Sequence, residues 1–146
     1  SDLDECLSPA LLILRNKYKD RIEIVVEHNE DVKSVEMNPG KMTQVFMNLL
    51  INSIESIKNK GKIVVRTLYG NEHVDISITD NGCGISEEEL NKIFDPFFTT
   101  KEVGEGTGLG LAITYGIIKE HKGDIQVFSE LGKGTEFKIR MPIKRS

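Results

Sequence analysis

The chain has 146 residues, of which 38% are apolar and 29% charged, a composition that suits one globular domain and leaves no room for a tandem pair. Its 19 Lys and Arg against 23 Asp and Glu give a net charge of −4 with both signs interleaved, so it lacks a basic footprint for nucleic acid. No apolar run reaches the ~18 residues of a membrane span, the N-terminus is acidic where a signal peptide would be basic, and neither CxxC nor HExxH spacing occurs, which argues against zinc and against a disulfide framework.

Leu3, Cys6, Leu7, Ala10, Leu11, Leu14 and Tyr18 recur at helical spacing behind Asp2, Asp4 and Glu5, which predicts a helix either kinked at Pro9 or starting at Ser8. Residues 22–27 read as a strand and 34–37 as a second, brief one, with Asn29, Glu30 and Asp31 turning between them. Asn38-Pro39 opens a long helix, because a capping side chain is followed by a residue whose missing N–H costs nothing at the first helical position. That helix is expected to run to about Lys58. Its apolar stripe is Met42, Val45, Phe46, Leu49, Leu50, Ile54 and Ile57, while Gln44, Asn48, Asn52 and Glu55 climb a second line. Exposed faces usually carry Lys and Glu, so amides bordered by apolar residues point to a polar cleft.

Residues 62–68 and 74–79 alternate and are joined across Gly70-Asn71-Glu72, which predicts an antiparallel hairpin. Ser86 followed by Glu89 has the capping-box form and opens a short helix that ends before Asp95-Pro96. Residues 99–107 have the composition of a mobile loop. A further helix is expected over 108–122, burying Leu111, Tyr115 and Ile118 and stopped by Gly123, and strands at 125–129 and 135–141 form a last hairpin. Adjacent hairpins exclude a uniform βαβ repeat. The expected fold class is α+β: a two-layer α/β sandwich whose mixed, mainly antiparallel sheet carries its helices on one face.

Two familiar phosphate loops fail on this sequence. Gly40-Lys41 is followed by Met42 and position 35 holds Val35, so there is no Walker loop, and Gly106-Thr107-Gly108-Leu109-Gly110 is one residue short of a dinucleotide fingerprint. What remains is dispersed: Asn48 and Asn52, then Asp80-Asn81-Gly82-Cys83-Gly84, the glycines at 106, 108 and 110, and Gly132-Lys133-Gly134-Thr135. Any one of these could be a turn. Four of them punctuating one small sheet point to a single site.

In these motifs the chain resembles the catalytic and ATP-binding domain of sensor histidine kinases, within the class that includes type II topoisomerase, chaperone and mismatch-repair ATPases. The resemblance covers residues 38–142 and rests on QVFMNLLINSIESI at 44–57, DNGCGI at 80–85, FDPFFTTK at 94–101, GTGLGL at 106–111 and GKGTEF at 132–137. It implies the Bergerat ATP-binding fold, with ATP and Mg²⁺ as cofactors. Asp80 would accept the adenine amino group, a preference that a guanine carbonyl could not satisfy. Gly82, Gly84 and Ile85 would approach the base, and Thr135 would reach the ring. Asn52 would ligate Mg²⁺ through its side-chain oxygen, and Asn48 would orient the metal's waters or the γ-phosphate. Gly106, Thr107, Gly108, Leu109, Gly110 and Leu111 would meet the phosphates at a helix N-terminus. Thr100 and Lys101 would join when the loop closes. Phe97 and Phe98 would either pin the base of that loop or fill core. Glu55, similar to the nitrogen-regulation and sporulation branches, is read as solvent-facing.

The resemblance also implies catalytic roles for Asn48 and Lys101 in transferring the γ-phosphoryl group to a histidine on a dimerisation domain of the parent protein, with a response regulator further along. The related ATPases carry Glu at position 48, and Asn has no usable pKa for deprotonating water, so slow hydrolysis is expected. An ATP-gated conformational ATPase or an anti-sigma serine kinase of the same superfamily is the alternative. His28, His73 and His121 do not sit in the family's acceptor pattern. The chain is therefore expected to be one ATP-binding domain over 1–146 without the acceptor hairpin, monomeric, unable to phosphorylate itself, and cytoplasmic, from a homodimeric and potentially membrane-anchored parent.

Overall fold

The computed structural model describes residues 3–28, 37–90, 92 and 110–143. Helix α1 (Asp4–Tyr18) leads into strand β1 (Ile22–His28), and α2 (Pro39–Ser56) follows. Then come β2 (Gly61–Tyr69), β3 (His73–Asp80) and the single turn α3 (Glu87–Leu90), followed by α4 (Gly110–Glu120), β4 (Asp124–Glu130) and β5 (Gly134–Pro142). The five strands form one sheet in the order β1-β2-β3-β5-β4, with β1 parallel to β2 and every other pairing antiparallel. This is the mixed, mainly antiparallel sheet expected of the α+β sandwich.

Strand alternation places Ile63, Val65, Ile76, Ile78, Phe137 and Ile139 on the face that α2 covers, where they bury against Phe46, Leu49 and Leu50. At roughly 25 cal/mol per Å² of apolar surface removed from water, this layer is the main driving force for the fold. Helix α1 packs on α2, and α2 packs on α4. The other face of the sheet is charged, with Arg66–Glu27 and Arg140–Asp75 pairs lying across neighbouring strands.

Several boundaries differ from expectation for identifiable reasons. Of the two readings of helix α1, the structure takes the longer one, starting at Asp4 with Pro9 inside; Pro9 and Glu5 are both exposed, so the carbonyl freed by the missing N–H meets water. Helix α2 begins as predicted, with Asn38 Oδ1 accepting the Lys41 N–H at 3.0 Å, but stops at Ser56. There the Arg21 guanidinium donates to the carbonyls of Ile57 (2.7 Å) and Ile54 (3.2 Å), filling the acceptors that another turn would have used. In α4 the buried face is Thr114, Ile117 and Ile118. Tyr115, expected inside, is 41% exposed, and its ring lies 5.5 Å from Lys119 Nζ. The positive φ at this helix's end belongs to Lys122 (61°) rather than Gly123. Of the second brief strand, 34–36 lie outside the described residues, as do 99–107 and the expected helix start at 108–109. No helix among the described residues is long and apolar enough to cross a membrane.

Candidate nucleotide site

Asp80 is the last residue of β3, paired in register with Thr135 on β5 and Ile63 on β2. It points to the helix side and is 6% exposed. Its Oδ1 accepts the Gly82 N–H at 2.8 Å and the Ser56 hydroxyl at 3.2 Å. Burial pushes the carboxyl above its ordinary pKa; the Gly82 amide, the nearby Ser53 and Ser56 hydroxyls and the Thr135 amide act the other way without overcoming it.

The glycines around Asp80 are required by contact. A Cβ on Gly82 would lie 2.1 Å from Ser56 Oγ, and one on Gly134 would lie 2.0 Å from the Asp80 carbonyl oxygen. Gly84 has φ of 77° and would put its Cβ 2.2 Å from the Glu130 carbonyl oxygen. The 82–84 turn is stitched on both sides, since the Cys83 N–H donates to the Ser56 carbonyl (3.0 Å) and the Gly132 N–H donates to the Cys83 carbonyl (2.8 Å). Two glycine motifs some 50 positions apart in sequence are thus one structural unit.

Ser129 locks that unit. Its Oγ accepts the Ile85 N–H at 2.7 Å, donates to the Gly134 carbonyl at 2.9 Å, and lies 2.8 Å from Thr135 Oγ1. A hydroxyl has one proton. With that proton on Gly134, the Thr135 hydroxyl donates to Ser129 and turns its own lone pairs outward. Sequence reasoning missed Ser129; the available signal was a serine in the core-facing phase of β4, after Ile125 and Val127.

Midway along α2, Asn48 Nδ2 donates to the Gly110 carbonyl (3.1 Å) and to Thr114 Oγ1 (3.2 Å), while Asn52 Nδ2 donates to the Asn48 carbonyl (3.0 Å). Both amide nitrogens are therefore spent inside the protein. The two carboxamide oxygens are left without a donor among the described residues, which is the arrangement a hard cation needs. Thr114, fully buried and donating to the Gly110 carbonyl at 2.9 Å, is the second residue missed. Asn48 and Asn52 are half-buried, whereas Gln44 and Glu55 are exposed, so the amide stripe borders the cleft over only its middle. Eight residues of helix separate Asn48 from Ser56, roughly 12 Å at 1.5 Å per residue.

The structure thus brings together Asn48, Asn52, Gly110 and half-buried Leu111 along the middle of α2, and Asp80, Gly82, Gly84, half-buried Ile85 and Thr135 near its C-terminal end. Phe97, Phe98, Thr100, Lys101, Gly106, Thr107, Gly108 and Leu109 lie outside the described residues. No cluster of His, Cys, Asp and Glu suited to a metal occurs among the described residues. A separate cavity of about 370 Å³ touches Asp80 and Thr135 but is lined also by Thr79, Phe128 and Glu136. Those positions alternate with the core-facing ones, so it opens on the sheet face opposite α2 and is not the amide-bordered cleft.

A family model described as histidine kinase-, DNA gyrase B- and HSP90-like ATPase matches residues 37–145. Sensor kinase CckA of Brucella abortus is 39% identical over 97% of this chain and 16% of that protein, and sensor histidine kinase ZraS of Escherichia coli is 38% identical over 97% of this chain and 30% of that protein. The catalytic domain of histidine kinase ThkA, in a nucleotide-free form, superposes with a TM-score of 0.86 at 32% identity, covering 99% of this chain and 96% of that one. The chain spans less than a third of the length of the curated relatives named here.

Proposed function

The chain belongs to the histidine kinase-, DNA gyrase B- and HSP90-like ATPase family, and from that premise we propose that it is the ATP-binding catalytic domain of a sensor histidine kinase. It would transfer the γ-phosphoryl group of ATP to a histidine on a separate dimerisation domain of its parent. The observation that carries this reading is Asp80: a buried carboxylate whose Oδ1 is already loaded by two internal donors, leaving Oδ2 for a ligand. An exocyclic amino group satisfies that acceptor and a carbonyl does not, which favours adenine over guanine.

Asn52 would hold Mg²⁺ through its carboxamide oxygen, and the Asn48 oxygen would orient the ion's waters or the γ-phosphate. When bound, the ion would neutralise charge on the polyphosphate. Among the described residues helix α4 begins at Gly110 beside Asn48, and the N–H groups of a helix's first turn suit phosphate oxygens. Phe97, Thr100, Lys101 and 106–109 are assigned to the same site from their motifs. Asn48 supplies no general base, which favours transfer to a nucleophilic imidazole over hydrolysis or attack by a serine hydroxyl. With ATP as donor the chain would work in the cytoplasm, as a monomer serving a homodimeric parent and, through it, a response regulator.

Incubation with labelled ATP and a candidate histidine-bearing hairpin domain tests the reading. Acid-labile label on the hairpin and none on the chain alone is expected. Label on neither, with ATP bound, would refute the transfer role, and rapid release of inorganic phosphate would favour the ATPase.

A further inference from the structure

Two side chains that the motif reading left without a role lie against Asp80. Ser53 and Ser56 are three residues apart on α2 and so share a helix face. Ser56 Oγ lies 2.9 Å from the Ser53 carbonyl oxygen and 3.2 Å from Asp80 Oδ1. Its one proton has those two acceptors to choose from, and the ionised carboxylate is the stronger. Ser53 is 1% exposed, and its hydroxyl has no hydrogen-bond partner among the described residues. It shares the helix face from which Ser56 reaches Asp80, and its influence on that carboxyl is toward the charged form. A buried hydroxyl without a partner is costly, so its presence beside a ligand-accepting group requires an explanation.

We propose that Ser53 and Ser56 are positioning residues for base selection, holding Asp80 ionised and rotated so that Oδ2 faces the exocyclic amino group of the purine. This rests on the reading of Asp80 as the adenine acceptor. A carboxylate rotates easily about χ2, because that torsion is broad and roughly two-fold. Donors converging on one oxygen remove that freedom, and here the Gly82 N–H and the Ser56 hydroxyl both meet Oδ1. With Ser56 gone, one fixed donor remains on Oδ1. With Ser53 gone as well, the desolvated carboxyl loses both nearby hydroxyls and takes up a proton more readily. A protonated Oδ2 presents a hydrogen to the base's amino group and can no longer serve as its acceptor.

The test is calorimetric titration of the whole chain, Ser53→Ala, Ser56→Ala and the double variant with ATP and with purine riboside triphosphate, which carries hydrogen in place of the 6-amino group. The double variant is expected to lose about tenfold or more in ATP affinity, the scale of one hydrogen bond to a charged group, while its affinity for the 6-hydrogen nucleotide changes less than about twofold. Equal losses on both nucleotides would show a merely structural role and overturn the proposal, as would no loss on either. Should the unsubstituted chain bind the two nucleotides equally, the Asp80 reading itself fails and the proposal with it.

Discussion

Replacing Asp80 by Asn moves stability and binding in opposite directions. Burial holds the folded-state pKa of Asp80 above its ordinary 3.8, so between that value and the raised one the native state binds more protons than the unfolded state. Stability contributed by this group therefore falls as pH rises through the raised pKa, and at neutral pH the ionised carboxylate is a net cost. Asn removes the charge but keeps an oxygen for the Gly82 N–H, now at 2.8 Å, and for the Ser56 hydroxyl, now at 3.2 Å. The variant should melt higher than the parent at pH 7, with the difference closing as pH falls toward 3.8, where both side chains are neutral. Its amide nitrogen would then occupy the position of Oδ2 and face the adenine amino group donor to donor. Losing one hydrogen bond to a charged acceptor costs about 1.5 to 3 kcal/mol, or roughly 10- to 150-fold in ATP affinity. Scanning calorimetry at two pH values and titration with MgATP read the two effects separately. A lower melting temperature at pH 7, or ATP affinity within about twofold of the parent, would refute the reasoning.

The same carboxylate gives ATP binding a pH dependence. Affinity should weaken on acidification at a higher pH than an unperturbed carboxylate would dictate, because the Asp80 pKa is raised, and titrations between about pH 4 and 8 should show that dependence flattened in Asp80→Asn. Gly84→Ala forces a side chain to φ of 77° with its Cβ 2.2 Å from a main-chain oxygen; the left-handed conformation alone costs about 1 to 2 kcal/mol, so denaturant titration should show at least that loss, and an unchanged midpoint would contradict the close approach. In Asn52→Ala the nucleotide should bind with nearly the same affinity with and without a magnesium chelator, whereas the parent should bind better with the ion.

The parts of the fold that were legible are those whose cause is local. The Asn38 cap, the apolar stripe of α2 and the two hairpins each follow from residues within a few positions of one another, and the structure places them where that chemistry demands. The misplaced end of α2 has a distant cause. Arg21, about 35 residues earlier, takes the last carbonyls, and nothing in 53–58 advertises it. The clasp between the start of α2 and the end of α4 is equally long-range: the Asn38 N–H donates to His121 Nε2 at 3.0 Å, and Lys41 pairs with Glu120 at 2.7 Å. Parallel pairing of β1 with β2 likewise depends on the crossover through α2 rather than on a turn motif.

The site divides along the same line. The glycines and amides of the proposed site carry visible motifs, whereas the residues that hold them, Ser56, Thr114 and Ser129, look like ordinary small polar side chains. A hydroxyl in the core-facing phase is not a sufficient signal, because Thr67 has that phase too, is 1% exposed, and finds no partner for its own hydroxyl among the described residues. The difference lies in the main chain nearby. Thr67 pairs in register with β1 on one side and β3 on the other, so the ladder already satisfies its surroundings. Ser129 sits near the end of β4 beside the Ile85 N–H, a main-chain donor outside the strands and helices, and Thr114 sits in the first turns of α4, where its hydroxyl and the Asn48 amide both reach the Gly110 carbonyl. Supporting hydroxyls of a dispersed site are therefore to be sought within a turn of the ends of its elements, where orphaned backbone groups and motif glycines occur together.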